Sequence, residues 1–429
     1  MILSKLCTLP AYGLGGKYMS LQFVNSLKSG LQSSAKLSFA RTTKVQESTL
    51  KNVFNGGVAR ALRQASSSAA STTTELAPSA RKAVGYWLMG CTGMVFGAVM
   101  LGGVTRLTES GLSMVDWKLL GRSWPQSEIE WQAELEKYRH YPEFQLKNKD
   151  ITMSDFKFIW LMEYGHRMWG RLIGATFALP AVYFWTKGYF TKSMRRRVPI
   201  FGSLILLQGL MGWYMVKSGL DHKNFEGPSD VPRVSQYRLA AHLGAALVLA
   251  TLFLYNGLDH LIPAQVVKVT SSVRRVRIMA HVCKGFIFLA AFSGAFVAGL
   301  DAGLTYNEFP LMGGRLVPTD LLAYEPKLSN VTENPTTVQF NHRMLGMTVF
   351  ALVHGLWFAT RKAKLPPRAY TAANAMLAMT YLQLTLGIAT LLLYVPTPVA
   401  ASHQTGALTL LSLAVWMTHE CKLLKYVPK

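Results

Sequence analysis

Glu163-Tyr164-Gly165-His166-Arg167 places a carboxylate, an imidazole and a guanidinium near the start of an apolar run long enough to form a helix. Ionisable groups are expensive inside such a run, so by default they mark a functional site. Glu163 and His166 are three residues apart and therefore share a helix face. The segment returns 176 residues later as Gln339-Phe340-Asn341-His342-Arg343-Met344, and in both copies a glycine follows two residues on, Gly170 and Gly346. A second pair of histidines recurs at an offset of 161: His242, followed by Ala246-Leu247, matches His403, followed by Ala407-Leu408. More weakly, Gly111-Leu112-Ser113 matches Gly303-Leu304-Thr305 at 192.

Four imidazoles paired in this way suit axial ligation of haem iron between helices, a common way for helical bundles to build a cofactor site. Zinc is a poorer fit, because two histidines per unit with no cysteine or paired carboxylate make a thin shell. Taken singly, each histidine also reads as a hydrogen-bonded core residue. Arg167 and Arg343 follow their histidines directly and are candidates for haem propionates, as is Arg238 one turn before His242; snorkelling to the interface is the plainer alternative. The asymmetry lies in Glu163, whose counterpart is Gln339. A carboxylate beside a haem can accept a proton or stabilise positive charge, which an amide does poorly. The first unit therefore reads as reactive and the second as an electron-transfer element. The plainer alternative is that Glu163 only pairs with Arg167 or Arg171. The remaining histidines, His140, His222, His260, His281, His354 and His419, read as structural or solvated.

The elements that must carry these residues are apolar helices. Half of the 429 residues are hydrophobic and only 16% are charged, the composition of an all-α, polytopic membrane protein. Eight runs near the 20 residues a bilayer requires cover about 83–104, 157–185, 198–217, 236–258, 278–300, 338–359, 369–394 and 398–418. With the repeat, they predict eight transmembrane helices as two tandem four-helix bundles. Each bundle supplies one histidine from its second helix and one from its fourth, all at similar depth in the outer half. The connections after the second, fourth and sixth runs are basic (Arg195-Arg196-Arg197; Arg274, Arg275, Arg277; Arg361, Lys362, Lys364), whereas 105–156 and 301–337 are balanced or acidic. By the positive-inside rule both termini lie on the basic side.

Residues 1–80 differ from the rest: nine Lys/Arg, two acids, thirteen Ser and no spanning run. That is the composition of a mitochondrial transit peptide, the alternative being a basic tail that stays attached. It divides the chain into 1–80, an N-terminal bundle 81–262 and a C-terminal bundle 263–429. Cys7, Cys91, Cys283 and Cys421 have no CxxC spacing, so neither a structural disulfide nor a cysteine metal site is expected. Nothing suggests nucleic-acid binding.

Gly102-Gly103-Val104-Thr105-Arg106-Leu107-Thr108-Glu109-Ser110-Gly111-Leu112-Ser113 is the remaining dense stretch; its small residues allow close approach to a ligand, and Arg106 can hold a carboxylate. Together with Glu163–Arg167, His242, Asn341–Met344 and His403 it resembles the mitochondrial haem A synthases, over roughly residues 80–420. The resemblance implies an eight-helix inner-membrane enzyme that oxidises a methyl group of haem O to a formyl, through hydroxylation, to give haem A for cytochrome c oxidase. It implies haem b on His342 and His403, substrate haem O flanked by His166 and His242, and Glu163 as the catalytic carboxylate. Some bacterial members carry a cysteine pair in an outer loop, which this chain lacks. Expected partners are the bilayer, haem O, a ferredoxin-type electron donor or acceptor on the matrix side, haem O synthase and oxidase assembly factors, and further copies of the chain. A b-type cytochrome that only relays electrons is the main alternative. A repeat-built transporter would need helices broken at the midplane. The prenyl-transferring enzyme that makes haem O would need an aspartate-rich diphosphate motif; neither feature is present.

Overall fold

The computed structural model of the protein describes residues 76–118, 120–221 and 233–422. The transit-peptide expectation and His222 lie outside them. Among the described residues there are eight long helices: α1 (Pro78–Leu107), α2 (Met153–Thr186), α3 (Lys192–Gly219), α4 (Gln236–Leu261), α5 (Ser271–Gly299), α6 (Pro335–Arg361), α7 (Pro367–Leu392) and α8 (Thr397–Glu420). Shorter helical segments lie between α1 and α2 and between α5 and α6, and no strand is present among the described residues.

Local chemistry sets the starts. The hydroxyls of Thr152, Thr191 and Thr270 accept hydrogen bonds from the backbone N–H groups of Asp155 (3.1 Å), Met194 (3.1 Å) and Val273 (3.2 Å), satisfying amides that a helix leaves open at its N-terminus. α1, α6, α7 and α8 each carry proline in their first turn, where the missing N–H costs nothing.

Most helices exceed the apolar runs that predicted them because these caps lie outside the apolar stretch. α2 starts at Met153 rather than 157. Its first turns are held by packing rather than by lipid. Phe156, Ile159 and Trp160 are buried against Trp131, Leu135 and Tyr138 of the connecting helix Glu128–Arg139. Trp124 and Trp131 meet Trp160 edge-on at 6.0 and 5.1 Å, and Tyr164 stacks on it at 5.0 Å. His166 consequently lies about 20 Å along its helix, and the other three histidines about 10 Å along theirs.

Within the first four helices, α1 contacts α2 and α4, and α3 contacts α2 and α4. Within the second four, α5 contacts α6 and α8, and α7 contacts α6 and α8. The two sets meet through α4–α5, α1–α8 and α4–α8. One apolar cluster, including Leu88, Phe253, Ile287, Leu356 and Leu411, runs through both sets. Small residues let backbones approach, the usual device where lipid removes the hydrophobic drive between helices. A side chain at Gly257 would meet the Gly85 carbonyl at 3.5 Å, and one at Gly244 would meet the Phe292 ring at 2.9 Å.

Six of the eight helices are long and apolar enough to cross a membrane; α2 and α8 fall short. These two carry the polar residues of interest, Glu163-His166-Arg167-Arg171 and His403-Gln404. Their site chemistry lowers their hydropathy.

Candidate active site

Each of the four histidine rings faces a glycine on the helix before it. A Cβ built on Gly102 of α1 would lie 2.8 Å from the His166 ring, on Gly212 of α3 3.6 Å from His242, on Gly294 of α5 3.4 Å from His342, and on Gly387 of α7 2.9 Å from His403. Each of these four histidines, carried on an even helix, thus sits in a recess cut into an odd helix. At two of these recesses, Gly102 and Gly387, an added Cβ would force the histidine ring to shift.

The rings of His342 and His403 face each other, with centroids 6.3 Å apart and planes at 84°. Two imidazoles on opposite sides of one metal atom, with metal–nitrogen bonds of about 2.0–2.1 Å, put their ring centres about 6 Å apart. Both rings can therefore reach one iron. Hydrogen bonds at the far ring nitrogens hold them there. Ser293 Oγ lies 2.7 Å from His342 Nδ1 and donates its one proton to the Ala290 carbonyl at 2.8 Å. The imidazole must then be the donor at Nδ1, which leaves Nε2 with a free lone pair. Gln383 Nε2 donates to the His403 carbonyl at 2.8 Å and lies 3.1 Å from His403 Nδ1.

His242 has the same support from α3. Gln208, with its amide turned to satisfy its neighbours, donates to His242 Nδ1 at 2.9 Å and to the His242 carbonyl at 3.2 Å. Gln208 and Gln383 were not singled out in the sequence. The available signal was the spacing Gln208-Gly209-x-x-Gly212 against Gln383-x-x-x-Gly387, at a common offset of 175. His166 differs from the other three: its Nδ1 is buried with no hydrogen-bond partner.

Glu163 is buried, at 2% exposure, and its carboxylate is fully engaged. Arg167 Nη2 donates to Oε1 at 2.5 Å, and Ser113 Oγ and the Met114 N–H donate to Oε2 at 2.8 and 2.7 Å. Arg167 also donates to the carbonyls of Met114 (2.7 Å) and Asp116 (2.9 Å). The Gly102–Ser113 stretch therefore supplies the floor of the carboxylate site. At the matching place on α6, Gln339 Oε1 accepts from Arg343 at 3.1 Å while its amide donates to the carbonyls of Ala302 (2.8 Å) and Tyr306 (3.1 Å).

The arginines considered for propionates all have protein partners. Arg343 donates to the carbonyls of Leu311 and Tyr306. Arg238 donates to Ser218 at 2.6 Å and lies over the Tyr214 ring at 4.8 Å. Arg106 pairs with Asp301 at 2.8 Å, and Arg233 joins the same carboxylate at 3.3 Å, tying the end of α1 to the end of α5. A Cβ on Gly103 would meet the Gln404 amide at 2.4–2.7 Å, and Gln404 donates to the Val99 carbonyl at 2.6 Å. Adjacent glycines on α1 thus accommodate His166 on one side and the neighbour of His403 on the other.

The remaining histidines lie elsewhere. His354 Nδ1 donates to the Phe350 carbonyl and its Nε2 accepts from Tyr381, at 2.7 and 2.9 Å. His260 bonds to the Asn256 carbonyl at 2.7 Å. His140 and His281 are exposed. His419 is fully buried with neither ring nitrogen hydrogen-bonded, its Nδ1 lying 3.9 Å from the Glu420 carboxylate.

Residues 85–415 match the COX15-CtaA family, described as cytochrome oxidase assembly proteins. The chain belongs to the COX15-CtaA family. It is 54% identical to the Heme A synthase COX15 of Bos taurus, across 84% of this chain and 86% of that protein. Identity to the Homo sapiens protein of the same name is also 54%, across 82% and 84%. The Heme A synthase of Nitrosospira multiformis is 41% identical across 80% of this chain and 94% of its own. The matched COX15-CtaA region contains all four paired histidines, their four glycines and Glu163.

Proposed function

We propose that the chain is a haem A synthase of the mitochondrial inner membrane, an oxidoreductase that converts haem O to haem A by oxidising one ring methyl to a formyl through hydroxylation. The single observation that carries this reading is the His342–His403 pair, 6.3 Å apart, joined to a second histidine pair that alone has a carboxylate beside it. Family membership supports the reaction, and the residues support the division of labour.

In this reading all eight helices span the bilayer, as two tandem units, 81–262 and 263–429. Helix ends support the repeat: α3 (Lys192–Gly219) and α7 (Pro367–Leu392) begin 175 residues apart, and α4 (Gln236–Leu261) and α8 (Thr397–Glu420) begin 161 apart. Glu109 and Asp301, 192 apart, both turn the chain with φ of 53° just past α1 and α5. The basic connections put both termini in the matrix, and residues 1–80 act as the transit peptide.

His342 and His403 hold haem b, with Ser293 and Gln383 fixing their rings; when bound, haem b supplies one-electron exchange. His166 and His242 flank haem O. Glu163 stabilises positive charge or takes a proton as the methyl group is oxidised, and Arg167, Ser113 and the Met114 N–H hold it in place. Arg106 and Arg343 each keep a buried Nε with no hydrogen-bond partner that is left for a propionate, whereas both Nη groups of Arg167 are already engaged. A ferredoxin-type protein on the matrix side, haem O synthase, oxidase assembly factors and a homo-oligomer belong to the same proposal. The test is to supply haem O to the purified full chain with a reductant and oxygen. The expected product is the formyl haem, and haem O returned unchanged contradicts the reading. A relay cytochrome would leave haem O unmodified.

A further inference from the structure

Three of the four paired histidines have a hydrogen-bonding group at Nδ1: Gln208 at His242 (2.9 Å), Ser293 at His342 (2.7 Å) and Gln383 at His403 (3.1 Å). His166 has none, and the atom is buried. The position on α1 that corresponds to Ser293, at the same offset that relates Gly102 to Gly294, is Leu101. Its side chain offers neither donor nor acceptor.

An acceptor at the outer nitrogen of a metal-bound histidine takes its N–H, fixes the ring's rotation and tautomer and raises its basicity, and its loss typically costs 10–100-fold in affinity. Ser293 gives His342 such an acceptor, because its own proton goes to the Ala290 carbonyl. The amides of Gln208 and Gln383 present N–H groups and only orient the His242 and His403 rings, and His166 has neither kind of partner. Resting on the haem A synthase reading, we propose that His166 is the exchangeable ligand of the substrate site. Its ring binds and leaves the iron so that haem O enters and the product departs, while Ser293, acting through His342, keeps haem b resident. Leu101 and Ser293 are then the positioning residues that distinguish a substrate site from a cofactor site on otherwise matching helices. The Gly102 recess gives the His166 ring its place, but nothing at Nδ1 holds it there.

The test uses the purified full-length protein loaded with haem b and haem O. An excess of a haem-scavenging apoglobin is added, and the haems transferred over time are identified by mass, with the ferric low-spin EPR signal followed in parallel. In the wild type, haem O is expected to leave at least about 10-fold faster than haem b. Leu101→Ser is expected to slow haem O release about 10-fold and to sharpen a second low-spin signal. Ser293→Ala, a small deletion that leaves the helix intact, is expected to speed haem b release by about 10-fold or more. Equal release of the two haems from the wild type, or a Ser293→Ala protein that holds haem b as the wild type does, overturns the inference. So does a folded Leu101→Ser protein that releases haem O at the wild-type rate. A wild-type protein that takes up haem b but never haem O contradicts the synthase reading itself, and is seen before any variant is made.

Discussion

Glu163 and Gln339 each lie one turn before a paired histidine and each accept a hydrogen bond from the arginine four residues on, yet their other partners are inverted. Donors surround Glu163, namely the Ser113 hydroxyl and the Met114 N–H. Acceptors surround Gln339, namely the carbonyls of Ala302 and Tyr306. The connections after α1 and α5 have therefore been built for a carboxylate in one unit and an amide in the other.

Glu163→Gln tests that specialisation. Whichever way it turns, the new amide nitrogen would face a donor, Arg167 or the Met114 N–H, leaving a buried donor unpaired at a cost of about 1–3 kcal/mol. The expected protein is folded and haem-loaded but forms no haem A, as read by mass of extracted pigment. Product at the wild-type level would exclude the assigned role.

His403→Ala removes one of two rings that can share an iron. The low-spin haem b absorbance is expected to disappear, and an unchanged spectrum would sink the ligand assignment. Gly387→Ala is the gentler form of the same experiment. Its Cβ would lie 2.9 Å from the His403 ring, so the ring must move and the low-spin EPR signal must shift, with the apolar core untouched.

Glu143, in the connection between α1 and α2, gives a pH signature. Burial pushes its carboxyl up to about 8 from 4.5, with the Glu163 and Glu109 charges adding to the rise and Tyr138 and Lys147 opposing it. The folded protein therefore binds a proton that the unfolded chain releases first. Stability is fully present below pH 4.5 and declines as pH rises through about 8. In Glu143→Gln this part of the decline is expected to vanish, measured as Tm against pH for the two proteins. Parallel curves would remove Glu143 from the account.

Much of this was legible in the sequence because it depends on residue type at fixed spacing. The histidine pairs, the Glu163/Gln339 difference and the eight apolar runs follow from periodicity and repetition. The length of α2 was not legible, because its first turns are stabilised by Trp131 and Tyr138 of the connecting helix rather than by their own hydropathy. The partners of Arg106, Arg167 and Arg343 were equally hidden, being carbonyls or a distant carboxylate brought close only by folding. Gln208, Ser293 and Gln383 read as ordinary polar residues until the neighbouring helix is in place.

The most direct measurement is to extract the pigments of the purified full-length protein and identify each haem by mass. The account requires haem b together with haem O, its hydroxylated form or haem A, with the non-b haem lost in a His242→Ala protein. Haem b alone in the wild type, under conditions where haem O is supplied, would contradict it.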